Sequence, residues 1–372
     1  MGAAPTGAAS AADQALYKVM VVDDSSVIRG FIRRLIEEDS DIKVVAAAIN
    51  GEQAVRLVAR YDIDVVVLDI DMPVMDGLTA LPLILKANPK VKVLMASTLT
   101  RRNAIISIKA LAAGASDYVP KPESARDVYA SKNFRLELVS KIKAISGPKR
   151  SKLSVESGES PAFNLSTAPK IELRKPSMLQ PEVLAIGSST GGPQALFKVF
   201  EMLQDTVKKP ILITQHMPTT FTAILAEHIQ RVCGVECAEG RNLERIKPNR
   251  IYVAPGDHHM VVDRDDDGEF IRINQDQPEN YCRPAVDPMF RSIAKLWGAK
   301  VLSIVLTGMG KDGQNGSQAI ANAGGTVIAQ DESTSVVWGM PGAAAGAGIC
   351  SAVLPLEEIA PKITKILKGG SA

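Results

Sequence analysis

Four cysteines in 372 residues are too few for a disulfide scaffold. Cys233 and Cys237 stand four apart with no paired histidine spacing nearby, and Cys282 and Cys350 are isolated, so no zinc pattern forms either. The four read as reduced thiols of a cytosolic protein. Charge of one sign is lacking as well: the formal balance is +2, which gives no reason to expect nucleic acid or an anionic membrane as a partner. No run approaches eighteen apolar residues, so the sequence predicts no spanning helix. The first sixteen residues lack the charged and apolar regions of a signal peptide. Met1 to Thr6 fits a myristoylation pattern, but one so short in an Ala/Gly tail reads as coincidence. A solenoid repeat and a basic recognition helix are also missing, which removes repeat scaffolds and transcriptional regulators.

What is present is an ordinary globular composition, 46% hydrophobic and 23% charged, in a chain long enough for two domains. From Lys18 to about Ser146, short β-branched runs alternate with amphipathic stretches. The predicted strands are Val19–Val22, Lys43–Ala47, Asp64–Leu68, Val91–Ala96 and Asp117–Val119. Between the first two, Val27, Phe31 and Leu35, with Ile28, Ile32 and Ile36, make a wide apolar stripe on a helix capped near Ser25 or Ser26. Five strands separated by helices imply a parallel, doubly wound sheet, whose polar residues matter most beyond the C-terminal strand ends. Asp23 and Asp24 follow the first strand, Asp69 the third, Ser97 and Thr98 the fourth, and Lys121 the fifth. Carboxylates gathered at one edge repel unless a hard cation such as magnesium sits among oxygen ligands.

Residues 18 to about 146 resemble a response-regulator receiver domain. The resemblance rests on Val21-Val22-Asp23-Asp24-Ser25, Leu68-Asp69-Ile70-Asp71-Met72-Pro73-Val74-Met75-Asp76-Gly77, Met95-Ala96-Ser97-Thr98 and Gly114-Ala115-Ser116-Asp117-Tyr118-Val119-Pro120-Lys121-Pro122. It implies a flavodoxin-like five-stranded fold. It further implies that Asp69 accepts a phosphoryl group and that Mg2+ is held by Asp23, Asp24, Asp69 and the Asp71 carbonyl. Ser97 and Tyr118 would be the switch hydroxyl and aromatic, and Lys121 the phosphoryl contact.

From Gly147 to Gln180 the periodicity fails in a Ser/Pro/Lys-rich segment with little to bury, read as a flexible tether. The expected organisation is a disordered tail at 1–16, a receiver at 17–146, a linker at 147–180 and a second α/β domain at 181–372. Predicted strands in the last are Val183–Ile186, Ile211–Thr214, Arg250–Val253, Met260–Val262, Phe270–Ile273, Val301–Leu306, Thr326–Ala329 and Ala352–Leu354. Helices begin near Pro193, Thr219, Val286, Gly313 and Pro355. The acidic run Asp265-Asp266-Asp267-Gly268 reads as a hairpin turn, since it lacks the spacing of a calcium loop.

Gly187-Ser188-Ser189-Thr190-Gly191 fits G-x-S-x-G with Ser189 at the nucleophile position, on a strand-to-helix turn. A serine hydroxyl needs a base, and there are four histidines. His216 follows the strand Ile211–Thr214. His228 lies mid-helix and reads as surface, whereas His258 and His259 sit in a turn that could line a rim. Asp312, just past Val301–Leu306, supplies an orienting carboxylate, though by itself it could be a helix N-cap. Ser189, His216 and Asp312 at one sheet edge make a triad whose order, with the acid after the histidine, is not that of the α/β-hydrolases.

The second half resembles the catalytic domain of the chemotaxis protein-glutamate methylesterases. The matching segments are Ile186 to Pro193, Gln215-His216-Met217-Pro218, Tyr252 to Gly256, Leu306 to Gly313, Ala329 to Glu332 and Gly339-Met340-Pro341. A departure is Ala285, where the family more usually has serine. The resemblance implies demethylation of glutamate methyl esters, and deamidation of glutamines, on membrane chemoreceptors, with no cofactor for the hydrolysis. It implies a sensor histidine kinase as phosphodonor, no nucleic acid partner, and contact with the membrane only through receptors. Backbone N–H groups of Thr190 and Met309 are the candidate oxyanion hole. Fusion of a phosphoacceptor to a hydrolase suggests that the unphosphorylated receiver covers the Ser189 cleft. The rival expectation is a phosphorylation-controlled phosphate- or nucleotide-binding module cradling phosphate at Gly187–Pro193. Against it, no G-x-G-x-x-G and no Walker lysine is recognised in the chain, and a cradle leaves His216 and Asp312 unexplained.

Overall fold

The computed structural model describes residues 17–121, 128–147, 171–204 and 208–369. The tail at 1–16, most of the predicted tether at 148–170 and the terminus at 370–372 lie outside the described residues. The chain forms two compact units.

The first unit runs β1 (Tyr17–Val22), α1 (Ser26–Glu37), β2 (Ile42–Ala48), α2 (Gly51–Val58), β3 (Val65–Asp69), α3 (Gly77–Ala87), β4 (Lys92–Ser97), α4 (Arg101–Ala112), β5 (Asp117–Pro120) and α5 (Val128–Ser146). Its five-stranded parallel sheet has the order β2-β1-β3-β4-β5. The chain steps outward from β1 to β2 and then back across it to β3, so Asp23 and Asp69 meet at the C-terminal edge where the order reverses. All five predicted strands are present. Ser25 is the N-cap of α1, its hydroxyl accepting Ile28 N at 3.4 Å. Phe31, Ile32, Leu35 and Ile36 are buried, but Val27 is 70% exposed, which narrows the expected stripe. At 100° per residue Val27 falls roughly 110° from the direction of the Ile32 and Leu35 side chains.

The second unit runs β6 (Val183–Ser188), α6 (Gly192–Leu203), β7 (Ile211–Gln215), α7 (Thr219–Cys233), β8 (Cys237–Glu239), β9 (Ile251–Val253), β10 (His259–Asp265), β11 (Gly268–Asn274), α8 (Val286–Trp297), β12 (Val301–Val305), α9 (Gln314–Asn322), β13 (Thr326–Gln330), α10 (Met340–Gly346), β14 (Ala352–Leu354) and α11 (Leu356–Leu367). Seven parallel strands lie in the order β14-β13-β12-β6-β7-β9-β8, beside the antiparallel β10–β11 hairpin. The hairpin turns where the acidic run predicted it, with Asp265 opposite Gly268. Every residue of β6 is buried, as expected for a central parallel strand covered on both faces. Val183, Ala185, Val301, Val305 and Val327 pack with Met289, Phe290 and Ile293 of α8 and Ile320 of α9 in one core.

Two elements were not expected. β8 is three residues long, too short to show a period. In α10, Met340-Pro341-Gly342-Ala343-Ala344-Ala345-Gly346 carries loop-like glycines, and the buried Ala344 and Ala345 hold it to the core. Residues 171–180, assigned to the tether, are partly anchored: Arg174 N donates to Cys350 O at 2.8 Å, Ser177 N to Thr326 Oγ1 at 2.9 Å and Ser177 Oγ to Ala299 O at 2.7 Å. Backbone and hydroxyl bonding did this, which an apolar-periodicity criterion does not detect.

Candidate active site

In the second unit β6, β7 and β12 are adjacent, and their C-terminal ends bring the three predicted side chains to one edge. Register pairs Ser188 with Gln215 and Gly187 with Val305. The turn after β6 is held from both sides. Ser189 N donates to Thr307 O at 3.0 Å, Gln215 Nε2 donates to Ser189 O at 2.9 Å, and Thr307 Oγ1 donates to Thr190 O at 2.9 Å. Gly191, at φ 75°, then starts α6 in the left-handed region that glycine tolerates without strain. Gly308 approaches so closely that a Cβ there would lie 2.8 Å from Ser189 Cβ. The structure thus fixes the backbone of Ser189 through two neighbouring strand ends.

His216 and Asp312 meet, with Nε2 2.7 Å from Asp312 Oδ2. Asp312 is 1% exposed and accepts from five donors. Oδ2 takes His216 and Val286 N at 2.6 Å, while Oδ1 takes Gly313 N at 2.9 Å, Asn280 Nδ2 at 3.0 Å and Asp287 N at 3.1 Å. Burial works to raise its pKa, but the His216 hydrogen bond and the backbone amides outweigh it and hold the carboxyl below the usual carboxylate range. The amides of Val286 and Asp287 are the first two of α8, so the helix N-terminus also favours the anion. Asp312 is not the N-cap of α9, which is Gly313 without a side-chain cap bond; its carboxylate instead closes the N-terminus of α8.

For His216, burial acts to lower the pKa, and the hydrogen bonds of Asp312 and then Cys282 reverse this and raise it. The other imidazole nitrogen, Nδ1, faces Cys282 Sγ at 3.4 Å. Among the described residues no hydrogen bond joins Ser189 Oγ to His216, so the serine stands beside the pair without yet engaging it. Thr190 N and Met309 N, the expected oxyanion donors, likewise have no acceptor among the described residues.

The other histidines divide differently from expectation. His259 is not on a rim. It is 1% exposed, with Nδ1 accepting Ala285 N at 3.2 Å and Nε2 near Gln277 O at 3.1 Å, so it braces the loop before α8. The His228 ring packs 4.2 Å from that of Phe197, centroid to centroid, rather than standing free on the surface. The loop 275–285 supplies what the sequence reading passed over, Asn280 and Cys282. Neither follows a strand of the central sheet, so the strand-end rule could not find them. Asn280 Nδ2 also donates to Asp287 Oδ2 at 3.1 Å, joining a second buried carboxylate to Asp312. Burial, offset in part by Gly316 N and reinforced by Asp312, raises the Asp287 pKa.

The stretch Gly308-Met309-Gly310-Lys311-Asp312-Gly313 has G-x-G-x-x-G spacing between β12 and α9, which corrects the expectation that the chain has none. The amides that a pyrophosphate would need there include Gly313 N, and it already serves the Asp312 carboxylate.

In the first unit Asp23, Asp24 and Asp69 bring carboxylate oxygens within 4.8 Å of one another, a hard-oxygen set that fits magnesium. Asp71 was expected to contribute its carbonyl; its carboxylate is outside this cluster. Lys121 Nζ lies 2.5 Å from Asp23 Oδ2 and 2.7 Å from Asp69 Oδ1. Burial raises the Asp69 pKa, Lys121 pulls it down, and like-charged Asp23 adds to the rise. Ser97 is fully buried at the end of β4, and Lys121 N donates to its carbonyl at 2.7 Å. Tyr118 is buried, with Lys141 of α5 donating to its carbonyl at 2.6 Å and its ammonium 4.9 Å from the ring centroid. Among the described residues no helix is long and apolar enough to cross a membrane.

Comparison with known proteins identifies the family. Residues 19–132 match the response regulator receiver domain family and residues 184–363 match the CheB methylesterase family. The chain is 52% identical to the protein-glutamate methylesterase/protein-glutamine glutaminase of group 2 operon from Rhodospirillum centenum, covering 94% of each chain. It is 53% identical to the protein-glutamate methylesterase/protein-glutamine glutaminase of Azospirillum brasilense, covering 97% of this chain and 94% of that one. It is also 36% identical to the crystallised CheB methylesterase catalytic domain of Thermotoga maritima, covering 50% of this chain and all of that one, with a TM-score of 0.49. An unbroken match through both domains at this identity places the chain in the family of receiver-linked CheB methylesterases.

Proposed function

We propose that this chain hydrolyses γ-glutamyl methyl esters on methyl-accepting chemotaxis receptors, and deamidates receptor glutamines, under phosphorylation control. The observation that carries the reading is the His216–Asp312 pair at 2.7 Å beside Ser189, on the ends of adjacent parallel strands. Ser189 Oγ attacks the ester carbonyl and passes its proton to Nδ1 of His216, the nitrogen that Asp312 leaves available. Asp312 holds the proton on Nε2 and balances the imidazolium that forms. Thr190 N and Met309 N receive the oxyanion, a role in which one lost donor costs about 3 kcal/mol of barrier. His216 then protonates the departing methoxide, or the departing amide nitrogen of a glutamine so that it leaves as ammonia, and water taken through the same base releases the glutamate.

A sensor histidine kinase supplies the phosphoryl group to Asp69. Asp23, Asp24, Asp69 and the Asp71 carbonyl would hold magnesium, whose charge would offset that of the phosphoryl oxygens. Lys121 contacts the same group, while Ser97 and Tyr118 relay it. The functional parts are the receiver at 17–146, a tether at 147–180 and the catalytic domain at 181–372, working in the cytoplasm. Methanol release from methylated receptor tests the reading. The full-length chain should release it, and Ser189→Ala should lose at least about a thousandfold in rate. Full activity in that variant would remove Ser189 from the mechanism.

A further inference from the structure

We propose that the Cys282 thiol is a positioning residue of the esterase: it caps Nδ1 of His216 in the resting enzyme and must give that nitrogen up to Ser189 for the reaction to begin. The inference rests on the Ser189–His216–Asp312 reading. It starts from the two sides of one ring. Nε2 is committed to Asp312 Oδ2 at 2.7 Å, so Nδ1 is the nitrogen left for a second partner. Among the described residues Nδ1 makes no hydrogen bond with Ser189 Oγ. It faces Cys282 Sγ at 3.4 Å, within hydrogen-bond reach of the sulfur.

The placement of the thiol is built rather than incidental. Glu279 and Cys282 exchange backbone hydrogen bonds, Glu279 N to Cys282 O at 3.2 Å and Cys282 N to Glu279 O at 2.9 Å, closing a tight turn. Its two middle residues, Asn280 and Tyr281, are both left-handed, at φ 52° and 63°. The turn is tied down by Asn280 to Asp312 and by Glu279 to Arg291. Arg283 follows, bonded to Asp257 at 2.8 Å. Cys282 is thus held against the imidazole by the same loop that grips the carboxylate. Cys233, Cys237 and Cys350 are buried; Cys282 is the cysteine with partial exposure.

A thiol suits this role. The His216 side chain is only 12% exposed, so an uncapped Nδ1 would be a poorly solvated polar group. Thiol sulfur is a weak hydrogen-bonding partner and a large, polarisable neighbour, so it satisfies the nitrogen while the serine hydroxyl can displace it. The ionisable groups around the ring are Asp312, Cys282 and, through Asp312, Asp287 at the start of α8, with the Arg291–Glu279 pair beyond. Cys282 acts in the direction that raises the His216 pKa, as Asp312 does.

The test uses the full-length chain with methylated receptor at one fixed phosphodonor concentration. Cys282→Ala should raise kcat by roughly two- to tenfold, the range one weak hydrogen bond controls. Its acid limb in kcat/KM should also move to lower pH, a shift that a merely structural role would not produce. Methyl methanethiosulfonate, which transfers a methylthio group to the thiolate with loss of methanesulfinate, should inactivate the wild-type chain reversibly with dithiothreitol and leave Cys282→Ala unaffected. A Cys282→Ala variant with an unmoved acid limb, whether kcat is unchanged or lower, overturns the cap, as does equal inhibition of both chains by the reagent. His216→Gln separates the two levels. If it keeps activity, the triad reading fails and the cap falls with it; if it is inactive while the Cys282 tests are negative, only the cap is lost.

Discussion

Asp312 faces His216 across 2.7 Å and, with the same carboxylate, closes the N-terminus of α8 through Val286 N and Asp287 N. The imidazole contact and the helix capping are therefore one electrostatic arrangement. The donors that keep Asp312 ionised also keep it available to the imidazole, and moving either helix or histidine disturbs the other.

The first prediction concerns pH. A base works only when unprotonated, and the His216 pKa is raised above its ordinary value by Asp312 and Cys282 against the effect of burial. The rate should therefore climb as pH rises through and beyond neutrality. Asp312→Asn removes the leading cause of the rise, so the climb should move to lower pH while the plateau falls by roughly 10² to 10⁴. A kcat/KM profile of both chains decides this. An acid limb that stays in place would separate Asp312 from the histidine's titration.

Asn280 has one amide nitrogen between two buried carboxylates, donating to Asp312 at 3.0 Å and to Asp287 at 3.1 Å. Asn280→Ala leaves both short of a donor and brings their repulsion forward. A loss of about tenfold in kcat with KM little changed is expected, since the residue positions an oxygen of the acid and is assigned no contact with substrate. Asn280→Asp should be worse, because it adds a third carboxylate.

Ala285 stands at the N-cap of α8 and makes no side-chain cap bond there. A serine cap serves the second or third amide of a helix. Here the second, Asp287 N, is already bound by Asp312, and the third position is Pro288, which has no N–H. Ala285→Ser should therefore change stability by less than about 0.5 kcal/mol, against the ~1 kcal/mol ordinary for a new cap. Thermal unfolding of the two chains measures the difference.

In the receiver, Lys121 touches Asp23 and Asp69 together. Asp69→Asn should abolish acid-stable, hydroxylamine-labile phosphoryl incorporation from a small phosphodonor with magnesium. Lys121→Met should leave three carboxylates with one neutralising cation fewer, lowering activation by phosphodonor while magnesium binding persists. Phosphoryl incorporation into Asp69→Asn would place the acceptor elsewhere.

The sequence by itself determined the two parallel sheets, the positions of their strands and the fact that Ser189, His216 and Asp312 follow strand ends. These follow from short apolar periods and from the rule that ligands gather beyond the carboxyl ends of parallel strands. The order of the candidate triad was legible too, because a serine turn, a histidine and an acid each fell just past a β-branched run. Tertiary structure decided which nitrogen of His216 meets Asp312, that α8 lends its amides to that acid, and that Asn280 and Cys282 arrive from a loop outside the central sheet. It also buried His259, exposed Val27 and anchored Ser177. The physical reason is common to all of these. Periodicity reports which face of an element is apolar, whereas a hydrogen bond between side chains distant in sequence depends on a spacing and direction that only the packed chain sets.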